Sequence, residues 1–152
     1  MSFTGRTETF LAKTLANANG FFPELSLGDF QKQYRVPANL APETVEQQLI
    51  NAMGEVNQAL QTQAANWQAH GMGTLADVAT AEGKTLVAFY LTAVYSRAKA
   101  WLLRDYQTFS RRDVAEDSTQ EGEDIYHALM VRSNAALRRL EGRSPHLTVE
   151  LL

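Results

Sequence analysis

Apolar residues recur through residues 42–70 at steps of three, four or seven, and this seam constrains the fold more than any other feature. Its members are Val45, Leu49, Met53, Val56, Leu60, Ala64 and Trp67. A repeat of this kind puts its residues on one side of an α-helix, where another helix must cover them. Pro42 suits a first helical turn, and Gly71 suits a helix end. The sequence therefore predicts a long helix from about 42 to 70 that packs against a partner helix.

Two further long helices are predicted. The second covers about 84–106, and its apolar side is interrupted by Arg97, which must find a partner or extend to solvent. The stripe consists of Leu86, Tyr90, Ala93, Val94, Arg97, Ala98, Trp101 and Leu102. The third covers about 121–141, and its predicted inward residues are Ile125, Leu129, Ala136, Leu137 and Leu140.

Shorter segments complete the outline. Ser26 can cap a short helix that Pro37 stops, and residues 74–82 are expected to hold one short turn. Residues 107–118 are polar and are predicted to form a linker. Residues 1–24 show no sustained periodicity and predict an irregular arm with at most a helical turn around 10–15. The expected fold is all-α: an antiparallel bundle of three long helices plus a short N-terminal helix over residues 25–142.

The last six residues have a different pattern. Leu147, Val149 and Leu151 alternate with Thr148 and Glu150, which is the period of a β-strand with one apolar face. A strand needs a neighbour for its backbone N–H and C=O groups, and no second strand is evident in the chain. Residues 143–152 are therefore predicted to be an extended tail, with a docking strand that pairs with another polypeptide. The docking residues are Leu147, Thr148, Val149, Glu150, Leu151 and Leu152.

The composition excludes several kinds of chemistry. The 152 residues include no cysteine, which rules out disulfides, thiolate metal sites and thiol nucleophiles. The formal net charge of −3 gives no general attraction to nucleic acid or anionic membrane. Asp124 and His127 have the i, i+3 spacing of half a dimetal site, but the remaining ligands of such a site are missing. No phosphate-binding loop or nucleophile motif is present. We expect a cytosolic protein without membrane segment, catalytic residue, cofactor or metal.

Two sets of polar side chains are candidates for contacts between subunits. Between Glu43 and His70 there are six glutamines, three asparagines and no Lys or Arg. Amides can bond across helices without the desolvation cost of full charges, although a neutral solvated face is the simpler explanation. Several arginines of the later helices are candidates for salt bridges within or between subunits. The interface candidates are Gln47, Gln58, Gln61, Arg97, Arg104, Arg138 and Arg139.

The stretch from Ala93 to Tyr106, Ala-Val-Tyr-Ser-Arg-Ala-Lys-Ala-Trp-Leu-Leu-Arg-Asp-Tyr, resembles the central helix of the head completion proteins of contractile-tailed temperate phages. Val56-Asn57-Gln58-Ala59-Leu60 followed by Trp67, then Asp117-Ser118-Thr119, and the ending from Gly142 to Leu152 are similar to other parts of that family in matching order. The final Leu stands where the family pattern has Ile, and residues 1–24 are not covered.

The resemblance implies a structural virion protein at the head–tail junction, made in the cytoplasm of a bacterial host. It implies an adaptor that binds the portal protein after DNA packaging, closes the filled head and receives a tail terminator or another tail-side connector. Proteins of this kind form a ring, commonly of twelve copies, which encloses DNA without reading its sequence.

Two alternatives remain open at this stage. The arginine-bearing helices could serve a small helical regulator that binds nucleic acid or an acidic protein, and a steep salt dependence of DNA affinity would reveal it. A metal enzyme built in the bundle core would contain stoichiometric metal. The adaptor would instead form ring-shaped particles or dock to emptied heads.

Overall fold

The computed structural model of the chain describes residues 12–17, 19–37, 39–110 and 116–142. Helices dominate this part of the chain, and one small sheet accompanies them. The elements are β1 (Thr14–Leu15), β2 (Leu25–Ser26), α1 (Leu27–Gln33), α2 (Pro42–Ala59), α3 (Gln61–Ala69), α4 (Leu75–Glu82), α5 (Leu86–Ser110) and α6 (Glu116–Leu140). None of the helices in the described ranges is long and apolar enough to cross a lipid bilayer.

The first predicted long helix is two helices. The chain leaves helical geometry at Leu60, where φ is −94° and ψ is 4°, so α2 ends and α3 begins there. The bonds from Leu60 N–H to the Val56 carbonyl (3.0 Å) and from Ala64 N–H to the Leu60 carbonyl (2.8 Å) persist across the break. The prediction of one helix over 42–70 is therefore wrong. The sequence did not indicate the break, because neither a proline nor a glycine lies next to Leu60. The seam itself is confirmed: every one of its seven members is buried.

The short helix α1 begins as predicted. The Ser26 side chain accepts a hydrogen bond from the Asp29 N–H at 3.1 Å, which satisfies one of the free donors of the first turn. The helix ends at Gln33 rather than at Pro37, because Arg35 adopts a left-handed conformation with φ of 50°. The Val36 N–H then donates back to the Gln31 carbonyl at 3.0 Å, a bond typical of a helix end that turns away from its axis.

The boundaries of the later helices also differ from the predicted ones. Residues 74–82 hold more than a turn, since Thr74 and Asp77 form a reciprocal capping box and α4 continues to Glu82. Helix α5 extends to Ser110 and α6 already begins at Glu116, so the predicted linker 107–118 is wrong at both ends. The polar composition of these residues indicated a loop, but a helix end can also consist of polar residues. Residues 111–115 lie outside the described residues.

Helix α5 is the central element, and α2 and α6 each pack against it in the antiparallel direction. Side chains of α2 at 48 and 57 bond to α5 at 105 and 90, respectively, so the residue numbers run in opposite senses. The same holds for α6, where residues 126 and 133 bond to α5 residues 104 and 97. On α6, Leu129, Ala136 and Leu140 are buried as predicted.

Ile125 corrects the predicted inward face of α6. Its side chain is 45% exposed, although its spacing from Leu129 suits the same helical stripe. Ile125 lies in the N-terminal half of α6, where it borders an open cleft rather than the core. Periodicity therefore placed Ile125 on the correct side of the helix and at the wrong depth.

The segment before α1 overturns two predictions. Thr14 and Leu15 form β1, which pairs antiparallel with β2 in the register Thr14↔Ser26 and Leu15↔Leu25. The class is therefore mostly helical with a two-stranded sheet, rather than all-α, and a helical turn is wrong over residues 12–15. Strands of two residues are too short to produce a visible alternation. Leu15, Phe21, Phe22 and Leu25 are buried in the same core as the long helices. The predicted tail strand at 147–152 lies outside the described residues.

Candidate interaction surfaces

The three predicted interface amides lie on the solvent side of α2 and α3. Gln47, Gln58 and Gln61 are all exposed. The Gln47 amide donates to the Asn51 side chain at 3.1 Å, one helical turn further along. These side chains present neutral donors and acceptors to solvent, which is compatible with a polar contact to another protein and equally with a hydrated face. Their role at an interface stays a prediction.

Arg97 connects neighbouring helices inside the subunit. Its side chain is 8% exposed, and its guanidinium donates to Glu55 on α2 at 2.7 Å, to Asn134 on α6 at 2.6 Å and to Ser133 at 3.1 Å. The Ser133 hydroxyl donates in turn to the Ala93 carbonyl at 2.6 Å. Because the planar guanidinium offers donors in several directions, one residue of α5 connects α2 and α6. The expected pairing of Arg97 is confirmed, and these contacts are intramolecular.

Two of the other arginines also cross from one helix to its neighbour. Arg104 lies over the Tyr126 ring at 4.3 Å and donates to the Tyr126 hydroxyl at 3.2 Å. Arg139 lies 5.2 Å from the centre of the Phe89 ring. Such cation–π contacts at exposed sites contribute about 0.5–1 kcal/mol each. Arg138 is half-buried on the last turns of α6. Contacts of these arginines with other subunits stay a prediction, as do those of the amides.

A closed ring of three hydrogen bonds fastens the N-terminal segment to the helices. Asn17 donates to the Tyr90 hydroxyl at 2.7 Å, Tyr90 donates to Asn57 at 2.6 Å, and Asn57 donates to Asn17 at 2.7 Å. Burial raises the pKa of the Tyr90 hydroxyl, although the bonds with the two asparagines oppose this rise. The hydroxyl therefore stays protonated and serves as donor and acceptor together. Sequence reasoning missed this ring because its members lie far apart and carry no charge.

Replacing Tyr90 with phenylalanine is expected to lower the free energy of unfolding by about 1–3 kcal/mol. The variant keeps the aromatic ring that stacks on Phe22 at 4.8 Å, but it leaves the half-buried Asn57 oxygen without its donor. Urea denaturation followed by circular dichroism measures the loss. Tyr34→Phe is the matched control, because the Tyr34 hydroxyl forms a longer bond of 3.3 Å to Ser96 in a half-buried position. Equal losses of stability in both variants would contradict the claim that the hydrogen bonds of Tyr90 with Asn17 and Asn57 stabilise the fold.

A cleft between the end of α1 and the paired helices α5 and α6 collects positive charge. We call it the basic cleft; its volume is about 440 Å³, and it is lined by Tyr34, Arg35, Lys99, Ile125, Leu129 and Arg132. The Lys99 ammonium donates to the Arg35 carbonyl at 3.2 Å, and burial lowers its pKa. Sequence reasoning missed this site because its three cations belong to three different helices or their ends.

The residues considered for metal chemistry, Asp124 and His127, both lie on α6. Asp124 accepts a hydrogen bond from Gln120 at 3.2 Å, and His127 is exposed on the same helix. Within the described ranges, no three His, Asp or Glu side chains are grouped closely enough to hold a metal ion.

Comparisons with known proteins agree with this picture. A protein-family model described as "Phage head completion protein (GPL)" matches residues 16–152. A "Probable head completion/stabilization protein" of Haemophilus phage HP1 (strain HP1c1) is 26% identical over 144 residues, which cover 93% of this chain and 94% of the relative. No solved structure matches the chain. Because the family match includes nearly the whole sequence, the chain belongs to the phage head completion protein (GPL) family.

Proposed function

We propose that this protein completes the phage head: it binds the portal vertex after DNA packaging, closes the filled head and offers the platform to which a tail attaches. The family match over residues 16–152 is the observation that carries this proposal. The name of the Haemophilus phage relative, which refers to head completion and stabilization, supports it. The geometry of the described part agrees, since its conspicuous polar features join helices to one another rather than converge on a reactive group.

The working form of this adaptor is a homo-oligomeric ring, commonly twelve copies in such proteins, around the DNA channel. The exposed amides Gln47, Gln58 and Gln61 support contacts between copies, because neutral amides can bond across an interface without stripping water from a charge. The net charge of −3 supports a channel wall that does not hold DNA tightly. DNA is enclosed in this assembly without sequence-specific contacts.

Docking to the portal or to a neighbouring subunit uses residues 147–152. Their alternation of apolar and polar residues is typical of a strand that joins the open edge of a sheet on another protein. Main-chain hydrogen bonds supply affinity in that mode, and the alternate apolar side chains supply specificity. A tail terminator or another tail-side connector then binds the opposite side of the ring.

The decisive experiment removes the protein from the virion. A phage genome with this reading frame interrupted is expected to yield heads that package DNA, then lose it, and lack tails. Electron micrographs and nuclease-protected DNA per particle measure both effects, and supplying the intact protein in trans is the control. Tailed particles with a full complement of protected DNA would contradict the proposal.

A further inference from the structure

The two edges of the β1–β2 sheet differ in their backbone partners. At the outer edge of β2, the Tyr95 hydroxyl accepts a hydrogen bond from the Ser26 N–H at 3.1 Å and donates to the Ser26 carbonyl at 3.3 Å. One side chain of α5 therefore closes that edge.

The edge of β1 is open. Thr14 lies opposite Ser26, and the Leu27 N–H donates to the Lys13 carbonyl at 2.9 Å, so residue 13 bonds toward β2. In an antiparallel strand the next residue directs its N–H and C=O to the other side. These two groups of Thr14 therefore point away from β2, and the described residues contain no hydrogen-bond partner for them. Such an edge can accept a further strand.

An uncovered apolar side chain of α2 lies alongside this open edge. Residues of the β1 segment contact one flank of α2, since Lys13 pairs with Glu46 at 2.8 Å and Asn57 donates to Asn17 at 2.7 Å. Ile50 lies on the same flank, one turn after Glu46 and about two turns before Asn57. Its side chain is nevertheless 38% exposed. A strand added beside β1 would gain backbone hydrogen bonds and also cover apolar surface.

Residues 147–152 meet both requirements of this acceptor. Their alternate apolar residues form one face that can cover Ile50. Their polar residues then share the solvent face of the sheet with Thr14, whose side chain is exposed. The chain thus combines a strand that needs a sheet edge with a sheet that has an open one.

Helix positions separate the β1 segment from α6, which precedes the tail. Glu46 pairs with the β1 segment, whereas Glu55 bonds to Arg97, the residue that also contacts α6. Nine residues separate the two glutamates, or two and a half turns, so they lie on opposite sides of α2. On α5, Tyr95 bonds to β2 and Arg97 to α6, and a step of two residues is about 200° around a helix. The sheet and α6 therefore lie on opposite sides of the α2–α5 pair.

This separation puts the acceptor out of reach of the same chain's tail. Packed layers lie about 10 Å apart, so two of them separate α6 from the sheet by roughly 20 Å. The five steps from Gly142 to Leu147 span at most about 18 Å when fully extended, and the route around a helix is longer than the straight line. The strand must therefore come from another copy.

We propose that residues 147–152 of one copy of this chain add as a strand to the open edge of β1 in a second copy and cover its Ile50. This inference rests on the docking strand and the ring proposed above, and it makes a neighbouring subunit, rather than the portal, the acceptor of the strand. Each copy can give one strand and receive another, because the tail and the edge are different surfaces, and repetition of the contact can close a ring. Removal of the tail then weakens attachment to heads because single copies lose the avidity of the ring.

Cysteine cross-linking tests the pairing, because the chain contains no native cysteine. Thr14→Cys is combined in turn with a cysteine at each position from 147 to 152, in assembled particles and in concentrated protein. Non-reducing electrophoresis reports linked dimers and larger species. Disulfides are expected with Thr148→Cys, Glu150→Cys or Leu152→Cys, which share the face of Thr14, and at no more than about a tenth of that yield at the alternate positions.

Two controls identify the chain that supplies the strand. A copy with Thr14→Cys alone, mixed with a copy that has only the best-linked tail cysteine, is expected to give a linked dimer. Lys32→Cys replaces Thr14→Cys in the matched control, because Lys32 is exposed on α1, and it is expected to link only at background level. A monomer whose two thiols are joined would show that the tail returns to its own sheet. That result, or linkage without alternation, would overturn the proposal.

A proline at the edge tests the backbone bonds separately. Thr14→Pro removes a donor that points away from β2, and an edge strand tolerates such a proline. This variant is expected to lower the number of copies retained per purified head at least tenfold, whereas Thr14→Val keeps the donor and is expected to stay within about threefold of the wild type. Circular dichroism confirms that both variants are folded. Equal retention of the two variants would contradict backbone pairing at β1.

Failure of this inference differs visibly from failure of the proposed function. If tail deletion abolishes docking but no tail cysteine links to Thr14→Cys, the β1 edge is not the acceptor and head completion still stands. Heads that keep their DNA and gain tails without the protein would refute head completion, whatever the cross-links show.

Discussion

Replacing Phe21 with alanine is expected to lower the free energy of unfolding by about 3–5 kcal/mol. Phe21 is 1% exposed, its ring stacks on Trp67 at 6.0 Å, and it meets Phe22 edge-on at 5.2 Å. The Phe21 carbonyl also accepts the Leu75 N–H at 2.9 Å, so the residue connects the N-terminal segment to α3 and to the first residue of α4. Truncation would leave a cavity among rigid aromatic groups that cannot collapse easily.

Urea or heat denaturation followed at a helical wavelength measures this loss. Glu24→Ala is the matched control in the same segment, because Glu24 is exposed and its replacement is expected to change stability by less than about 0.5 kcal/mol. A loss below about 1 kcal/mol for Phe21→Ala would show that the segment before α1 is an arm, as the sequence suggested, and not part of the core.

The sequence predicted those parts of the fold that depend on local signals. The seam from Val45 to Trp67 is buried because helical periodicity alone puts its members on one side. The start of α1 was predictable as well, since Ser26 and the Asp29 N–H form their bond within one turn. Arg97, a charged residue in an apolar stripe, was expected to find a partner or to extend to solvent, and the structure supplies Glu55, Ser133 and Asn134 as partners.

The parts that escaped prediction depend on contacts between distant residues. The pairing of Leu15 with Leu25 is only one rung of a very short sheet, and burial of Phe21 and Phe22 depends on Trp67 and Tyr90 far along the chain. Nothing near Leu60 marks the break between α2 and α3. The basic cleft combines residues 35, 99 and 132, so no window of sequence contains it.

Family membership and mechanism have different support. The resemblance noted between residues 93 and 106, together with the closing residues, predicted the head completion family, and the match over residues 16–152 confirms that family. The docking strand at 147–152 rests on alternation alone and lies outside the described residues. It therefore stays a prediction, and a functional measurement must decide it.

Deleting residues 147–152 is expected to abolish binding to the portal while the helical circular dichroism signal stays within about 10% of the wild type. The signal is expected to persist because the buried core described by the structure ends at Leu140. Binding is expected to disappear because strand addition depends on the backbone donors and acceptors of the tail. Co-sedimentation with filled heads that lack this protein measures docking, and circular dichroism of the same sample excludes unfolding. Docking of the truncated chain at wild-type affinity would refute the strand mechanism.

Single substitutions separate a strand from a merely sticky apolar tail. Val149→Pro removes one backbone donor and is expected to weaken docking at least tenfold, or about 1.4 kcal/mol, if residue 149 bonds to a sheet edge. Val149→Ala keeps the donor and removes two methyl groups, so a smaller loss is expected. Glu150→Gln changes a side chain of the polar face and keeps the backbone intact, so it is expected to dock within about threefold of the wild type. Equal losses for the proline and alanine variants would mean that side-chain burial, and not backbone pairing, holds the tail to its partner.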